Sequence, residues 1–393
     1  MRAAAPGQAL EWLLPQALPP PGSLRAWFAS AAELALPRTP VSLPTLAKRA
    51  TPKREATLTC AKKAHELERF AALIADSAAA CGCRKVVDAG AGSGRLGGLL
   101  ASCYGLSVTG IERDAEAVAR AARRRAWADK NVAAADSVVR LGSLEAFSLP
   151  RQPQMLVGLH ACGELTSDAL REFAAKADYR SLLVIGCCYQ HCDDNALPLS
   201  TTLRALPGTP LPVILPRCAR EAAAQSVSAA FLSAQPGAKR AAMRTRTLAR
   251  ALLELLHAER GTTLAGKHPY DQARFPSFAM YAALTLKIAG NDAANGLDAR
   301  FAAVLAAEDG ALAGLTAARA AAGAVAEALL VTDRALFLAE TLCAEQIRDK
   351  QPPIVAVLPL FDAAVSPRSI ALFAQRVDDS VERTKEIRSS QVL

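Results

Sequence analysis

Short apolar runs alternate with amphipathic stretches over the first half of the chain. Apolar residues recur every three or four positions from Ala61 to Ala75, which predicts a helix. Five short apolar runs, each typical of a buried strand, follow at Lys85–Asp88, Leu106–Ile111, Val138–Leu141, Met155–Leu159 and Ser181–Ile185. Helical segments separate most of these runs. The alternation therefore predicts βαβ units and a parallel sheet that is covered on both faces.

The alternation stops after residue 192. The stretch that follows is helical by composition, and two apolar runs near the end, Pro353–Leu360 and Ser369–Gln375, predict an antiparallel hairpin. We therefore predict an α/β fold whose sheet is mostly parallel and is completed by a C-terminal hairpin after a helical insertion. The expected segments are an N-terminal helical or irregular part (1–50), the core (51–192), the insertion (193–350), the hairpin (351–377) and a flexible tail (378–393).

Composition narrows the class of protein. The chain has 393 residues, 51% of them hydrophobic, yet no uninterrupted apolar run reaches the roughly 18 residues that a membrane-spanning helix needs. The ten cysteines do not form the dense pattern of a small secreted domain, and the N-terminus lacks a secretory signal. We expect a soluble cytoplasmic or nuclear protein without a membrane partner.

The net charge of +9, from 46 Lys and Arg against 37 Asp and Glu, permits a nucleic-acid partner without requiring one. Two clusters of basic residues stand out, and a run of charges is more often a solvated helix face than a phosphate site. The first comprises Arg120, Arg123, Arg124 and Arg125. The second, in the insertion, is predicted to contact an RNA or protein acceptor and comprises Lys239, Arg240, Arg244, Arg246 and Arg250.

The glycine loop after the first strand indicates a nucleotide-like ligand. Glycines at 90, 92 and 94 allow close approach of the backbone, and Glu112, 18 residues beyond Gly94, ends the second strand where it can bind ribose hydroxyls. The run from Gly92 to Gly97 also matches the dinucleotide fingerprint. Asp88 favours a different ligand, because a carboxylate suits an ammonium and a sulfonium better than a pyrophosphate.

Residues after the fourth and fifth strands form the predicted acceptor side. His160 is a candidate general base or an orienting residue, and Tyr189 is a candidate wall of the acceptor pocket. The same two loops carry a set that could hold zinc: His160, Cys162, Cys187, Cys188, His191 and Cys192. Their spacing matches no standard zinc ribbon or finger, so no metal ligand is assigned.

Several segments together resemble one family. They are KKAHE at residues 62–66, VVDAGAGSGRL, GIERD, GLHACGEL, GCCYQ, TDRALFL at 332–338 and LPLFD at 358–362 followed by SPR at 366–368. In this order they are similar to the methyltransferase-like protein 25 family, whose relatives are also labelled ribosomal RNA adenine dimethylase domain-containing. The resemblance spans roughly residues 48–377 and is thinnest across the insertion.

The resemblance implies a class I Rossmann-like methyltransferase fold with S-adenosylmethionine (SAM) as methyl donor. By position, Asp88, Gly90, Gly92 and Gly94 would surround the methionine part and Glu112 the ribose. Ser143 and Leu144 would flank the adenine through their backbone. His65, on the helix before the first strand, is expected to face the cofactor with Lys63. Adenine dimethylation is not supported, since residues 160–163 read His-Ala-Cys-Gly instead of Asn/Asp-Pro-Pro-aromatic.

The leading hypothesis is therefore a SAM-dependent methyltransferase that acts on a macromolecule, RNA or protein. A non-catalytic scaffold that binds SAM or RNA is the alternative from another class. An NAD-dependent oxidoreductase is a weaker alternative, because Asp88 is a poor neighbour for a pyrophosphate and no recognisable Tyr-x-x-x-Lys motif is present.

Overall fold

The structure, a computed structural model, describes residues 24–43, 60–129, 136–146, 152–193, 197–206, 215–224, 237–262, 270, 273–286, 296–345 and 353–376. The chain divides into two compact units: Met1–Ser30 with Ala229–Ala321, and Ala31–Ser228 with Ala322–Leu393. The tail predicted at 378–393 lies outside the described residues, as do most of residues 1–50. No helix of the described ranges is both long and apolar enough to cross a membrane.

The second unit contains a seven-stranded sheet. Its strands are β1 (Lys85–Ala89), β2 (Ser107–Glu112), β3 (Ser137–Leu141), β4 (Gln154–Cys162), β5 (Tyr179–Cys187), β6 (Ile354–Pro359) and β7 (Ile370–Gln375). The helices of the chain are α1 (Leu24–Leu34), α2 (Ala61–Ala80), α3 (Arg95–Tyr104), α4 (Ala115–Asp129), α5 (Glu164–Ala175), α6 (Thr201–Arg204), α7 (Arg217–Ala224), α8 (Gly237–Glu259), α9 (Phe278–Leu286) and α10 (Leu297–Glu345).

The strand order is β3-β2-β1-β4-β5-β7-β6. The first five strands pair in parallel, whereas β7 is antiparallel to both β5 and β6. The hairpin therefore inserts its second strand next to β5 and leaves β6 at the edge. The predicted fold class, a mostly parallel α/β sheet completed by an antiparallel C-terminal hairpin, is confirmed.

Alternating side chains of the strands supply two cores, one on each face of the sheet. Val86 packs with α2 and α3 on one face, in a cluster that includes Phe70 and Leu100. Its neighbour Val87 points to the other face, where it packs with α5 and with the C-terminal part of α10. Burial on both faces explains why these strands read as continuous apolar runs in the sequence.

A buried arginine fixes the end of β7. The Arg376 guanidinium donates to the carbonyl oxygens of Tyr179 (2.6 Å) and Phe173 (2.8 Å) and lies over the Phe173 ring at 4.4 Å. These carbonyl groups belong to the start of β5 and to helix α5. Because the guanidinium is a planar array of donors, one side chain satisfies several carbonyls and joins the hairpin to the parallel part of the sheet.

The first unit has a separate aromatic core. Leucines along one face of α8 pack with rings from α9 and from the start of α10, including a stacked pair, Phe278 and Phe301, whose centroids lie 4.6 Å apart. Tyr270 contributes a ring that meets Tyr281 edge-on at 5.1 Å. These leucines lie in the C-terminal half of α8, and the whole helix, including its basic cluster, belongs to the first unit.

Replacing Arg376 with Met should lower the free energy of unfolding by about 2–4 kcal/mol, because buried carbonyls lose their donors. Arg171→Met is the control: Arg171 is half-exposed and pairs with Glu164 and Asp168 at the surface of α5. That change should cost less than about 1 kcal/mol. Urea denaturation of the two variants tests the difference, and equal losses would contradict the role given to Arg376.

Candidate functional site

The carboxyl ends of the parallel strands bring the predicted site residues to one edge of the sheet. Asp88 lies near the end of β1, paired in register with Gly110 of β2 and Val157 of β4. Glu112 ends β2, and His160 lies two residues before the end of β4. Ligands of open α/β sheets bind at this edge, in the crevice where the strand order reverses. Here that crevice lies between β1 and β4.

The glycine loop after β1 is held open against β2. Gly90 and Ala91 both donate to the Ile111 carbonyl, at 2.9 and 3.1 Å, so the loop follows the end of the neighbouring strand. Gly92 has φ +55°, and a Cβ added there would meet no atom within 4 Å. A left-handed backbone beside open space is the shape that a bound ligand requires of such a loop. The loop therefore forms a cradle.

Glu112 joins this cradle to the next helix. One carboxylate oxygen accepts from the Gly92 amide (2.8 Å), and the other accepts from the amides of Arg113 (2.8 Å) and Asp114 (3.0 Å). Two carboxylate oxygens offer about four lone-pair sites, so three amide donors leave room for a further donor such as a hydroxyl. The side chain is partly exposed, as a ligand-binding carboxylate must be.

Asp88 is a buried carboxylate next to the cradle. Its pKa is raised to about 7, chiefly by burial; the charge of Lys63 on helix α2 opposes the rise, and Glu112 adds to it. Lys63 responds in the opposite sense: burial lowers its pKa, while Glu66 and Asp88 raise it. A buried carboxylate that is costly to ionise gains most from a bound cation. The site therefore favours a ligand that carries a positive charge.

The loop after β3 contributes mainly backbone. Gly142 donates to the Glu112 carbonyl at 2.9 Å, which holds this loop against the end of β2. Ser143 is half-buried, whereas Leu144 is 3% exposed and packs into the core with Val87 and Ile111. Any contact of Leu144 with a ligand would have to use its backbone.

Glu66 is a functional candidate that the sequence analysis missed. Its carboxylate is 1% exposed and lies 3.2 Å from Nε2 of His160, 2.9 Å from Nζ of Lys62 and 2.7 Å from the hydroxyl of Ser366. Burial alone would raise the pKa of Glu66, but the hydrogen bonds from His160, Lys62 and Ser366 hold it at about 2. Glu66 is therefore ionised at neutral pH and fixes the His160 ring.

His160 combines this partner with an unusual backbone. Its φ is +64°, in the left-handed region that few non-glycine residues adopt. The β4–β5 ladder is irregular between Leu159 and Ala161, on either side of His160. Because Nε2 faces a carboxylate, the neutral ring carries its proton there, and Nδ1 is the basic nitrogen. A base that a carboxylate orients is a recurring arrangement in proton transfer.

His65 contacts the turn of the C-terminal hairpin in this structure. Its Nε2 accepts from the Asp362 amide at 3.0 Å, and its ring meets Phe361 edge-on at 6.0 Å. Both partners belong to the turn of the C-terminal hairpin, so His65 supports that turn. Of the two residues of α2 that were expected to face the cofactor, Lys63 is the one whose charge acts on Asp88.

Tyr189 also differs from its predicted role. The ring is 2% exposed and packs with Leu197 and Leu330, and the Arg334 guanidinium lies 5.3 Å from its centroid. Its hydroxyl donates to the Gly186 carbonyl at 3.3 Å. A ring with 2% of its surface exposed has almost no face free for an acceptor in this structure, and its contacts here are with the protein's own side chains.

Three of the six residues that the sequence analysis considered as possible zinc ligands lie close together in the structure. The sulfurs of Cys162, Cys187 and Cys188 all lie within 4.8 Å of one another. The hydrogen bond with Cys187 lowers the pKa of the Cys162 thiol, and the same bond raises the pKa of Cys187. Cys192 instead accepts from Arg334 at 3.5 Å. His191 is exposed on the 3₁₀ turn Tyr189–His191.

The basic clusters have mixed surroundings. Arg120 of α4 pairs with Asp114 (3.4 Å) and Glu116 (3.5 Å), and Arg123 and Arg125 are exposed on the same helix. In α8, Arg250 donates to Glu254 at 2.7 Å, Arg244 is half-buried and Arg246 is exposed. The side chains of Lys239 and Arg240 lie outside the described part of the chain.

Comparison with known proteins agrees with the fold. Residues 62–195, about a third of the chain, match the model of the family described as Methyltransferase domain. Among solved structures, the CcbJ methyltransferase of Streptomyces caelestis is 17% identical over 30% of this chain and 48% of that one, with a TM-score of 0.25. Magnesium protoporphyrin IX methyltransferase of Synechocystis PCC 6803, solved with bound SAH, is 20% identical over 30% and 53%, with a TM-score of 0.24.

YcgJ of Bacillus subtilis is 21% identical over 31% of this chain and 50% of that chain, with a TM-score of 0.25. The chain thus spans about half the length of the structures it matches. The family match falls on helix α2 and strands β1 to β5, which hold the residues described above. Residues 62–195 are therefore similar to a methyltransferase domain, as the sequence analysis expected for this part of the chain.

Replacing Asp88 with Asn should stabilise the ligand-free protein at pH 8 and do so less at pH 5. The folded-state pKa of about 7 lies above the usual 3.8. The unfolded state therefore loses its proton first, and the stability contributed by protonated Asp88 is lost as pH rises from about 4 through about 7. Asn, which stays neutral, should gain on the order of 2–4 kcal/mol at pH 8.

Urea denaturation at both pH values measures this gain, with Asp136→Asn as the control because Asp136 is exposed. A gain that does not depend on pH would contradict the buried ionisation of Asp88.

Proposed function

We propose that this protein is a SAM-dependent methyltransferase that transfers a methyl group to a macromolecular acceptor, RNA or protein. The observation that carries the proposal is the buried Asp88 carboxylate beside an open glycine cradle, because SAM presents an ammonium and a sulfonium. The resemblance of the sequence to the methyltransferase-like protein 25 family supports the same cofactor.

In the proposed arrangement Asp88, Gly90, Gly92 and Gly94 surround the methionine part of SAM. The two requirements for this fit are space and charge. Gly92 leaves the space, since a Cβ there would meet no atom within 4 Å, and the 3% exposed Asp88 supplies the charge. Glu112 would receive the ribose hydroxyls, and the backbone of Ser143 and Leu144 would flank the adenine.

SAM, when bound, supplies an electrophilic methyl group on a sulfonium. Transfer from such a donor is an in-line displacement, so the chain contributes by positioning the acceptor and by accepting its proton. His160 is the residue we assign to this task, because its ring is fixed through Nε2 and 22% of its side chain is exposed. Glu66 orients His160 and stabilises the charge that the ring gains with a proton.

The acceptor would contact the basic cluster of α8, formed by Lys239, Arg240, Arg244, Arg246 and Arg250. Arg246 is exposed there, whereas Arg250 is already paired with Glu254. Exposed guanidinium groups bind phosphates and carboxylates alike, so either RNA or an acidic protein segment suits this surface. Labelling of total RNA and total protein with isotopically marked SAM separates the two.

Calorimetry should detect binding of S-adenosylhomocysteine and no binding of NAD. Asp88→Asn and Glu112→Gln should each weaken S-adenosylhomocysteine binding about tenfold or more, because each removes a charged contact. Glu116→Gln, on the exposed side of α4, should leave the affinity unchanged. Since Asp88→Asn is also expected to stabilise the fold, weaker binding by this variant cannot be ascribed to unfolding. Binding of NAD alone would overturn the proposal.

His160→Asn should reduce methyl transfer about a hundredfold or more while it leaves S-adenosylhomocysteine affinity within error. Asn is chosen because it tolerates the left-handed backbone at this position. Glu66→Gln should lower kcat about tenfold by releasing the His160 ring, and Glu68→Gln, exposed on the same helix, should not. Full activity of His160→Asn would remove His160 from the mechanism. Loss of cofactor affinity in both variants would move the pair to the cofactor site.

A further inference from the structure

Three thiols meet where β4 and β5 end. We name Cys162, Cys187 and Cys188 the thiol cluster. Cys162 and Cys187 are register partners on the adjacent strands, and their sulfurs lie 3.1 Å apart. Cys188 follows directly, and all three sulfurs lie within 4.8 Å of one another. The cluster therefore offers three soft ligand atoms around one point.

The backbone around the thiol cluster is specialised. Among the described residues, His160 (φ +64°) and Cys188 (φ +52°) are the non-glycine residues with left-handed backbone, and they flank or belong to the cluster. Such a conformation is unfavourable for a non-glycine residue and persists only where the surroundings enforce it. The amide of Gly163, which has φ +56°, donates to the Cys187 carbonyl at 3.0 Å. This hydrogen bond links the loop after β4 to the end of β5.

Packing alone does not account for this arrangement. A cysteine at a strand end usually serves as a small buried hydrophobe, which fits the 5% exposed Cys187. Cys162 is exposed and Cys188 is half-buried, so two of the three thiols contribute little to the core. The strained backbone brings partly exposed thiols together. A ligand that all three thiols bind would explain this arrangement.

We propose that the thiol cluster binds one zinc ion through three cysteine thiolates. Zinc–sulfur bonds of about 2.3 Å in tetrahedral geometry place sulfurs about 3.8 Å apart. That separation is longer than the 3.1 Å between Cys162 and Cys187 and lies within the 4.8 Å that bounds all three sulfurs, so small side-chain rotations would suffice. Hard cations such as Mg²⁺ and Ca²⁺ prefer oxygen ligands, which the cluster lacks.

The fourth position of the zinc would be left to water or another exchangeable ligand. Within the described residues no histidine nitrogen or carboxylate oxygen joins the three sulfurs within 4.8 Å, and the Cys192 sulfur accepts from Arg334 at 3.5 Å. Three protein ligands and an open position are the pattern of reactive zinc sites, whereas structural sites fill all four. This assignment does not depend on the proposed methyl transfer.

Elemental analysis of the full-length protein, purified with a reductant and without chelator, should find about one zinc per chain. Cys162→Ser and Cys188→Ser should each lose most of it, because two thiolates hold zinc far more weakly than three. Cys218→Ser and Cys343→Ser are the controls, since both thiols are exposed and lie outside the cluster. Cobalt added to the metal-free protein should give thiolate-to-metal charge-transfer absorption that the cluster variants lack.

A measurement on the unmodified chain keeps the test independent of variant folding. Alkylation mapped by mass spectrometry should spare Cys162 when zinc is present and label it after chelation, while Cys218 and Cys343 react equally in both states. Three results would overturn the proposal: reduced protein without bound metal, undiminished zinc in Cys162→Ser, or equal labelling of Cys162 with and without zinc. A Cys162–Cys187 disulfide in zinc-replete protein would overturn it as well.

Discussion

The candidate site depends on the hydrogen bonds and ion pairs made by the buried carboxylate of Glu66. Lys62 of the same helix, His160 near the end of β4 and Ser366 of the hairpin turn all contact this carboxylate. The helix, the end of β4 and the hairpin turn are far apart in the chain. An unpaired buried carboxylate would be strongly destabilising, so the three segments must be in place together. We therefore expect the sheet to assemble and the His160 ring to become oriented in the same folding step.

The protein treats its two buried carboxylates in opposite ways. Glu66 is hydrogen-bonded to His160, Lys62 and Ser366, and its pKa falls to about 2. For Asp88, burial outweighs the favourable charge of Lys63, and its pKa rises to about 7. The first residue stabilises the fold, whereas the second stores an unfavourable charge next to an open cradle. A carboxylate left in this condition contributes affinity for a cationic ligand at the expense of the stability of the empty protein.

The sequence pattern was sufficient for the fold because the signals are local. Strand β1 is a buried run that ends in glycines, and helix α3 follows it directly, as the alternation of apolar runs and helical segments predicts. The site was only partly accessible. The glycine cradle and Glu112 lie close together in sequence, but the contact between Glu66 and His160 joins residues that only the folded sheet brings together, and no periodicity reveals it.

Two further differences between the prediction and the structure also arise from contacts that only the folded chain brings about. Tyr189 was placed at the acceptor because it follows a strand, yet the burial of its ring is decided by Leu330 and Arg334 of a distant helix. Sequence composition suggested six possible metal ligands, and only the turn geometry after β4 and β5 selects Cys162, Cys187 and Cys188 from them. The sequence shows the chemical character of each residue, but it does not show which residues surround it in the fold.

The position of β7 has a consequence for biosynthesis. This strand is the last of the sheet to be made, yet it lies between β5 and β6, so the edge of β5 stays unpaired until residue 375 has left the ribosome. Until then the nascent chain carries a long apolar edge, Leu182–Val184 among its residues, which is a template for wrong pairing. We therefore expect chains that terminate before the hairpin to be bound by chaperones or degraded by proteases.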